Sequence, residues 1–189
     1  MAGSGEDDTA LAARAKRDRA AFGVLYDRYV LAVYAYCRRR LPTPEAAEDA
    51  TSLVFTKALA ALPGYREDAP SFRSWLFAIA HNVVTDAFRA VRSERALGDA
   101  DLDAASDRPG PEAAALMAEE ERELRALLAR LPADQTRLLE LRLAGLTDAE
   151  IAHVLGRSRG AVRVAQHRAI RRLRALLGVA ITTDGESDG

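Results

Sequence analysis

The sequence predicts an all-α protein built from two small helical modules joined by a flexible linker. Three observations carry this expectation. Alternating β-branched runs, the mark of half-buried strands, are almost absent, while Ala, Leu, Arg and Glu dominate. Apolar residues recur at intervals of three and four along most of the chain, as on one face of a helix. Between 97 and 111 that period stops in a stretch of Asp, Ala, Gly and Pro. With 189 residues, 49% of them hydrophobic, the chain has the material for one ordinary domain or two small ones.

Residues 9 to 17 read as a short helix. Asp18 is placed to cap a longer one reaching about residue 41, with Phe22, Leu25, Tyr26, Tyr29, Val33, Tyr36 and Cys37 as its apolar stripe. Leu41-Pro42-Thr43-Pro44 ends that helix. Thr43 can cap the next, and Pro44 suits its first position, where a missing N–H costs no hydrogen bond. This third helix runs to about Leu62 and stops at Pro63-Gly64. Ser71 caps a fourth, which carries Phe72, Trp75, Leu76, Ile79, Val83 and Phe88 toward an arginine cluster at 89 to 95. Beyond the linker, residues 112 to 131 align Leu116, Leu124, Leu127 and Leu128, Pro132 breaks the run, and a further helix spans 133 to 144, closed by Gly145. The expected units are therefore 9–96 and 112–178, with 97–111 between them and a disordered tail at 179–189.

Residues 146 to 177 have the parts of a helix-turn-helix. Thr147-Asp148-Ala149-Glu150 matches a capping box, in which the hydroxyl and the Glu carboxylate satisfy free backbone donors reciprocally. The short helix turns Ile151, Ala152 and Leu155 inward, Gly156 permits a left-handed exit, and Ser158 caps the final helix. That helix buries Val162, Ala169 and Leu173 and presents Arg159, Arg163, Val164, His167, Arg168 and Arg171. The overall net charge of −1 conceals a strong asymmetry: residues 151 to 177 hold seven arginines and no Asp or Glu. A helix that reads bases near its N-terminus and holds phosphates further along needs this polarity. Arg163, His167 and Arg168 are the candidates for base edges, and Arg171, Arg172 and Arg174 for phosphates. The plainer alternative is a solvated basic face that touches nothing. The coincidence of capping box, glycine turn, second cap and acid-free face within one segment favours DNA.

Other function classes find little support. Cys37 is the single cysteine, so an intrachain disulfide is excluded, a reducing cytoplasm is the expected setting, and the residue reads as a small buried apolar group. His81, His153 and His167 are isolated, no metal-ligand spacing occurs, and no glycine-rich phosphate loop is followed by Lys. The expectation is no enzyme, no cofactor, no metal and no small-molecule substrate. No apolar run approaches the ~20 residues of a membrane span, so no membrane insertion is expected.

Residues 147 to 177, TDAEIAHVLGRSRGAVRVAQHRAIRRLRALL, resemble region 4 of bacterial RNA polymerase sigma factors. The N-terminal half is similar to region 2 of the same family in Phe22-Gly-Val-Leu-Tyr-Asp-Arg-Tyr, in Ala47-Glu48-Asp49 leading to Val54-Phe55, and in Phe72-Arg-Ser-Trp-Leu-Phe-Ala-Ile-Ala-His-Asn82. Both motifs stand in family order with only a short linker between them, the layout of the extracytoplasmic-function group. The resemblance implies a factor that binds core RNA polymerase and directs initiation at a promoter, and it admits an anti-sigma factor as a further partner. Region 2 would bind the polymerase clamp through the third helix, where Asp49, Ser52 and Leu53 stand at the matching positions. Ser52-Leu53 departs from the family's common Gln-Glu. The fourth helix would open the minus-ten element with Arg73, Trp75, Asn82, Arg89 and Arg92. Trp75 either replaces base stacking or belongs to the buried stripe beside it; Asn82 either reads a base edge or is a surface residue. Region 4 would read the minus-thirty-five element with Arg159, Arg163, Val164, His167, Arg168, Arg171 and Arg172. In that helix Ala165-Gln166 departs from the usual Arg-Leu. About fifteen extended linker residues reach roughly 50 Å, enough with two modules of ~12 Å radius of gyration to bridge about two DNA turns of ~34–36 Å each.

The rival reading is a helix-turn-helix regulator that binds an operator without polymerase. It needs a dimer interface to match paired half-sites. The helix at 112 to 131 either supplies it or forms the inner wall of region 4.

Overall fold

The computed structural model describes residues 7–66, 71–97 and 112–178, and every regular element among them is helical. Helices α1 (Asp8–Ala15), α2 (Arg19–Arg40), α3 (Pro44–Ala61) and α4 (Phe72–Leu97) form the first module. Helices α5 (Glu112–Ala129), α6 (Ala133–Leu143), α7 (Asp148–Leu155) and α8 (Arg159–Leu176) form the second. The expected linker lies outside the described residues except for Leu97, which ends α4. The tail at 179–189 lies outside them too.

The helices start where short polar side chains can take up free backbone donors. Asp18 accepts from the Ala20 amide at 2.9 Å, Thr43 from Ala46 at 3.2 Å, and Ser71 from Ser74 at 3.0 Å. Pro63 sits in a single 3-10 turn, Leu62–Gly64, that closes α3. Asp8 accepts hydrogen bonds from Arg28 and Tyr29 and pins α1 to α2.

The first core is aromatic at its centre. Tyr36, Phe72 and Phe77 are fully buried, with Leu25, Val33, Leu62 and Leu76 around them. Two expected stripe residues stand outside it. Tyr26 and Phe88 are 42% and 49% exposed, because α4 turns Phe77, Ala80 and Val84 inward instead and α2 leads with Leu25. Tyr26 still lies edge-on to Phe55, with ring centroids 4.7 Å apart. The second core gathers Leu128, Leu138, Leu141, Leu146, Ile151, Val162 and Ala169.

The two modules pack against each other, and their buried apolar residues join into one cluster. Helix α7 lies on α4, and α6 meets α2. At the second contact the Arg40 guanidinium donates to Glu140 at 2.8 Å, with the two side chains only 11% and 4% exposed. The Arg40 guanidinium also lies over the ring of the exposed Phe88, 5.2 Å from its centroid. Burial pushes the Glu140 carboxyl up, and the cations of Arg40, Arg39 and Arg137 act against that shift.

His81 lies beside this seam, its Nδ1 3.1 Å from the Tyr36 hydroxyl. Burial, reinforced by Arg40 and Arg137, lowers its pKa from 6.5 to about 4. As the pH falls through that window the unfolded chain takes up the proton first, so stability falls with it. One proton contributes a slope of at most about 1.4 kcal/mol per pH unit. In a His81→Gln variant this share disappears, and melting temperature plotted against pH becomes flatter between about 6.5 and 4 than in the parent. An unchanged slope would show that His81 titrates alike in both states.

Candidate nucleic-acid interface

The helix-turn-helix assembles from local hydrogen bonds. The Thr147 amide donates to Glu150 Oε2 at 2.8 Å, and the Glu150 amide returns a longer bond to Thr147 Oγ1 at 3.4 Å. Gly156 leaves α7 at φ +62°, a left-handed conformation that a Cβ would strain. Ser158 Oγ then accepts from the Ala161 amide at 3.2 Å and starts α8. Val162 and Ala169 are buried against α6 and α7. This fixes the roll of α8, and the opposite face is left to solvent.

On that face Arg159, Arg163, Val164, His167, Arg168, Arg171 and Arg172 are all exposed. Val164 is 51% exposed, an apolar group standing among cations. Arg163 differs from the other arginines. Its Nε donates to Asp148 Oδ2 at 3.2 Å, while the side chain stays 76% exposed. The other Asp148 oxygen accepts from Arg142 on α6. Arg142 also donates to the Leu146 carbonyl at 2.8 Å and to Gln166 Oε1 at 2.7 Å. Gln166, the departure from an apolar residue, is thus half-buried and satisfied. Sequence reasoning assigned Asp148 to the capping box alone and left Arg142 without a role. A polar Gln between the inward positions Val162 and Ala169 was the signal that a half-buried donor, Arg142, faced it.

The other sequence-derived positions lie in the first module. Arg73 is not free: its Nε and Nη2 donate to the two carboxylate oxygens of Glu150 at 3.1 and 3.0 Å. The Ser71 hydroxyl donates to Glu150 Oε1 at 2.6 Å. Glu150 therefore caps α7 and holds α4 at once. Burial alone would raise its carboxyl, but hydrogen bonds from Ser71, the Thr147 amide and Arg73 outweigh that and hold it at about 2. Trp75 is half-buried, its ring 5.2 Å from Tyr65 and 5.4 Å from Phe72, as the stripe reading expected. Asn82 and Arg89 are exposed on the same helix, Arg89 within 3.5 Å of Asp86. Arg92 falls within α4, but its side chain lies outside the described residues. On α3, Asp49, Ser52 and Leu53 are exposed together, Leu53 by 45%.

Nothing in the described residues assembles a reactive centre around Cys37. It is fully buried, and burial pushes its thiol up to about 11, so the nucleophilic thiolate is suppressed. Among the described residues no three of His, Cys, Asp or Glu gather as metal ligands, and no helix is long and apolar enough to cross a membrane.

Residues 25–94 match the family described as Sigma-70 region 2, and residues 121–173 match Sigma-70, region 4. The ECF RNA polymerase sigma factor ShbA of Streptomyces griseus is 42% identical over 151 residues, which cover 75% of this chain and 79% of the relative. The ECF RNA polymerase sigma factor SigD of Mycobacterium tuberculosis is 37% identical over 173 residues, covering 88% of this chain and 82% of the relative. The solved structure of CnrH in complex with the cytosolic domain of CnrY has a TM-score of 0.72 and 29% identity, covering 93% of this chain and 100% of that one. Kinship over both modules disfavours an operator-binding regulator that works without polymerase. With both regions present in order, the chain belongs to the extracytoplasmic-function sigma factors of bacterial RNA polymerase.

Proposed function

We propose that this sigma factor binds core RNA polymerase through α3, opens the minus-ten element along α4, and reads the minus-thirty-five element with α8. The observation that carries this reading is the exposed, acid-free face of α8, whose roll is set by Val162 and Ala169. Arg163, Val164, His167 and Arg168 face base edges, and Arg159, Arg171 and Arg172 face phosphates. On α4, Asn82 and Arg89 line the path of the opened strand, to which the family resemblance also assigns Arg92, and Trp75 meets it with the edge that Tyr65 and Phe72 leave uncovered. Arg73 reaches DNA only after α7 leaves α4, because Glu150 occupies its fork. Initiation therefore requires the two modules to part. The protein acts in the cytoplasm without catalytic activity of its own. A sequestering anti-sigma protein is a further partner, by kinship with CnrH, whose solved structure holds the cytosolic domain of CnrY.

The test is reconstitution. Core polymerase with the purified protein should initiate at specific promoters, and core alone should not. Within that assay Asp49→Lys and Leu53→Lys each place a cation on the exposed α3 face, where neither side chain supports the core. Pull-down of core polymerase should weaken by at least about tenfold, the factor that 1.4 kcal/mol represents, with the helical circular-dichroism signal intact. Full binding by both variants would move the polymerase interface off α3.

A further inference from the structure

We propose that Asp148, which lies outside the recognition helix, is the positioning residue that makes Arg163 a specificity-determining cation of the minus-thirty-five interface. The proposal rests on the assignment of α8 to promoter reading and extends it. Seven arginines lie between 151 and 177, and charge alone ranks none above another. Geometry does. Arg163 Nε is held by Asp148 Oδ2 at 3.2 Å, yet the side chain remains 76% exposed. A guanidinium is a planar fork of five donors. Engaging Nε from behind leaves both terminal nitrogens pointing outward in one plane. Two parallel N–H donors are the arrangement that matches O6 and N7 of guanine in the major groove.

The anchor is itself anchored. Asp148 Oδ1 accepts from Arg142, and Arg142 is fixed by the Leu146 carbonyl at 2.8 Å and Gln166 Oε1 at 2.7 Å. Gln166 lies on α8, three residues beyond Arg163, so the network returns to the helix it orients. The carboxylate also occupies the first turn of α7, where the helix dipole favours negative charge. An arginine held in this way gives up less rotamer freedom on binding DNA than a free one does. It also cannot swing to a phosphate without releasing Asp148. Among the described residues Arg171 and Arg172, the cations assigned to phosphates, have no such tether. They can follow the backbone of any sequence.

The experiment is run-off transcription by the full-length protein with core polymerase on a promoter library randomised over the minus-thirty-five element, for the parent and four variants. Arg163→Ala identifies the base pair that Arg163 reads. Asp148→Ala should relax preference at that same base pair by roughly threefold to tenfold, the factor expected from freeing one immobilised side chain. Preference elsewhere and the salt dependence of output should stay as in the parent, because Asp148 touches no phosphate. The double variant should be no worse than Arg163→Ala alone, and Asp148→Glu should recover part of the loss. A purely structural Asp148 gives the opposite pattern. Output would then fall evenly on every sequence, the double variant would be worse than either single, and the proposal would be overturned. Full preference retained by Asp148→Ala overturns it as well. Failure of the parent to direct any core-dependent initiation would instead refute the sigma-factor assignment, which is a separate outcome.

Discussion

Replacing Arg40 by Ala is expected to lower stability by about 3–5 kcal/mol, because it strands a buried carboxylate between the two modules. Glu140 keeps only 4% of its side-chain surface in solvent, and of the cations that oppose its burial, Arg40, Arg39 and Arg137, Arg40 is the one that donates to it. The chain has two ways to relieve that charge. Helix α6 can leave α2 and rehydrate the carboxylate, or Glu140 can bind a proton. The first should split the thermal transition in two and raise the radius of gyration measured by small-angle scattering. The second sets the pH dependence. A folded-state pKa raised by burial means the native form holds the proton more tightly, so the deficit shrinks as pH is lowered. Exchanging the whole pair, Arg40→Met with Glu140→Leu, removes both charges and should restore a single transition at or above the parent's stability. If Arg40→Ala melts like the parent at neutral pH, the pair does not hold the modules together. Open variants should also gain polymerase-independent access to Arg73, because the two modules share one seam.

Arg168→Ala is expected to blunt discrimination among minus-thirty-five variants, whereas Arg172→Ala should lower output from all of them by a similar factor. Both residues are exposed on α8, and Arg172 lies one turn nearer its C-terminus. Losing a bidentate base contact costs ~1–3 kcal/mol at one base pair. Losing a phosphate contact weakens every sequence alike and reduces the salt slope by about one unit. Val162 and Ala169 carry the packing of this helix and are untouched by either change, so circular dichroism should not distinguish the variants from the parent. Transcription across a salt series with core polymerase reads both effects at once. Full discrimination by Arg168→Ala would leave base reading to Arg163 and its neighbours and return Arg168 to the phosphates.

The caps were legible residue by residue. Asp18, Thr43, Ser71, Thr147 and Ser158 each accept from a backbone amide two or three residues on, a bond that depends on almost nothing beyond its own turn. Gly156 was readable for the same reason, since the need for a left-handed residue is local. The outward face of α8 also followed from the sequence, because burying Val162 and Ala169 turns Arg163, His167 and Arg168 to solvent. What the chain could not disclose by itself is which distant groups meet. Arg40 and Glu140 are 100 positions apart, and Ser71 and Glu150 are 79 apart. Such pairs exist only once α6 has docked on α2 and α7 on α4. The packing of α4 on α2 decided that Phe88 lies under a guanidinium rather than in the core, and the docking of α7 on α4 decided that Glu150 holds Arg73 as well as its own cap. Asp148 was visible as a capping-box neighbour, but its grip on Arg163 depends on the angle between α7 and α8. A cap is decided by hydrogen bonds within one turn of backbone, whereas a partner for a buried charge is decided by how whole helices pack.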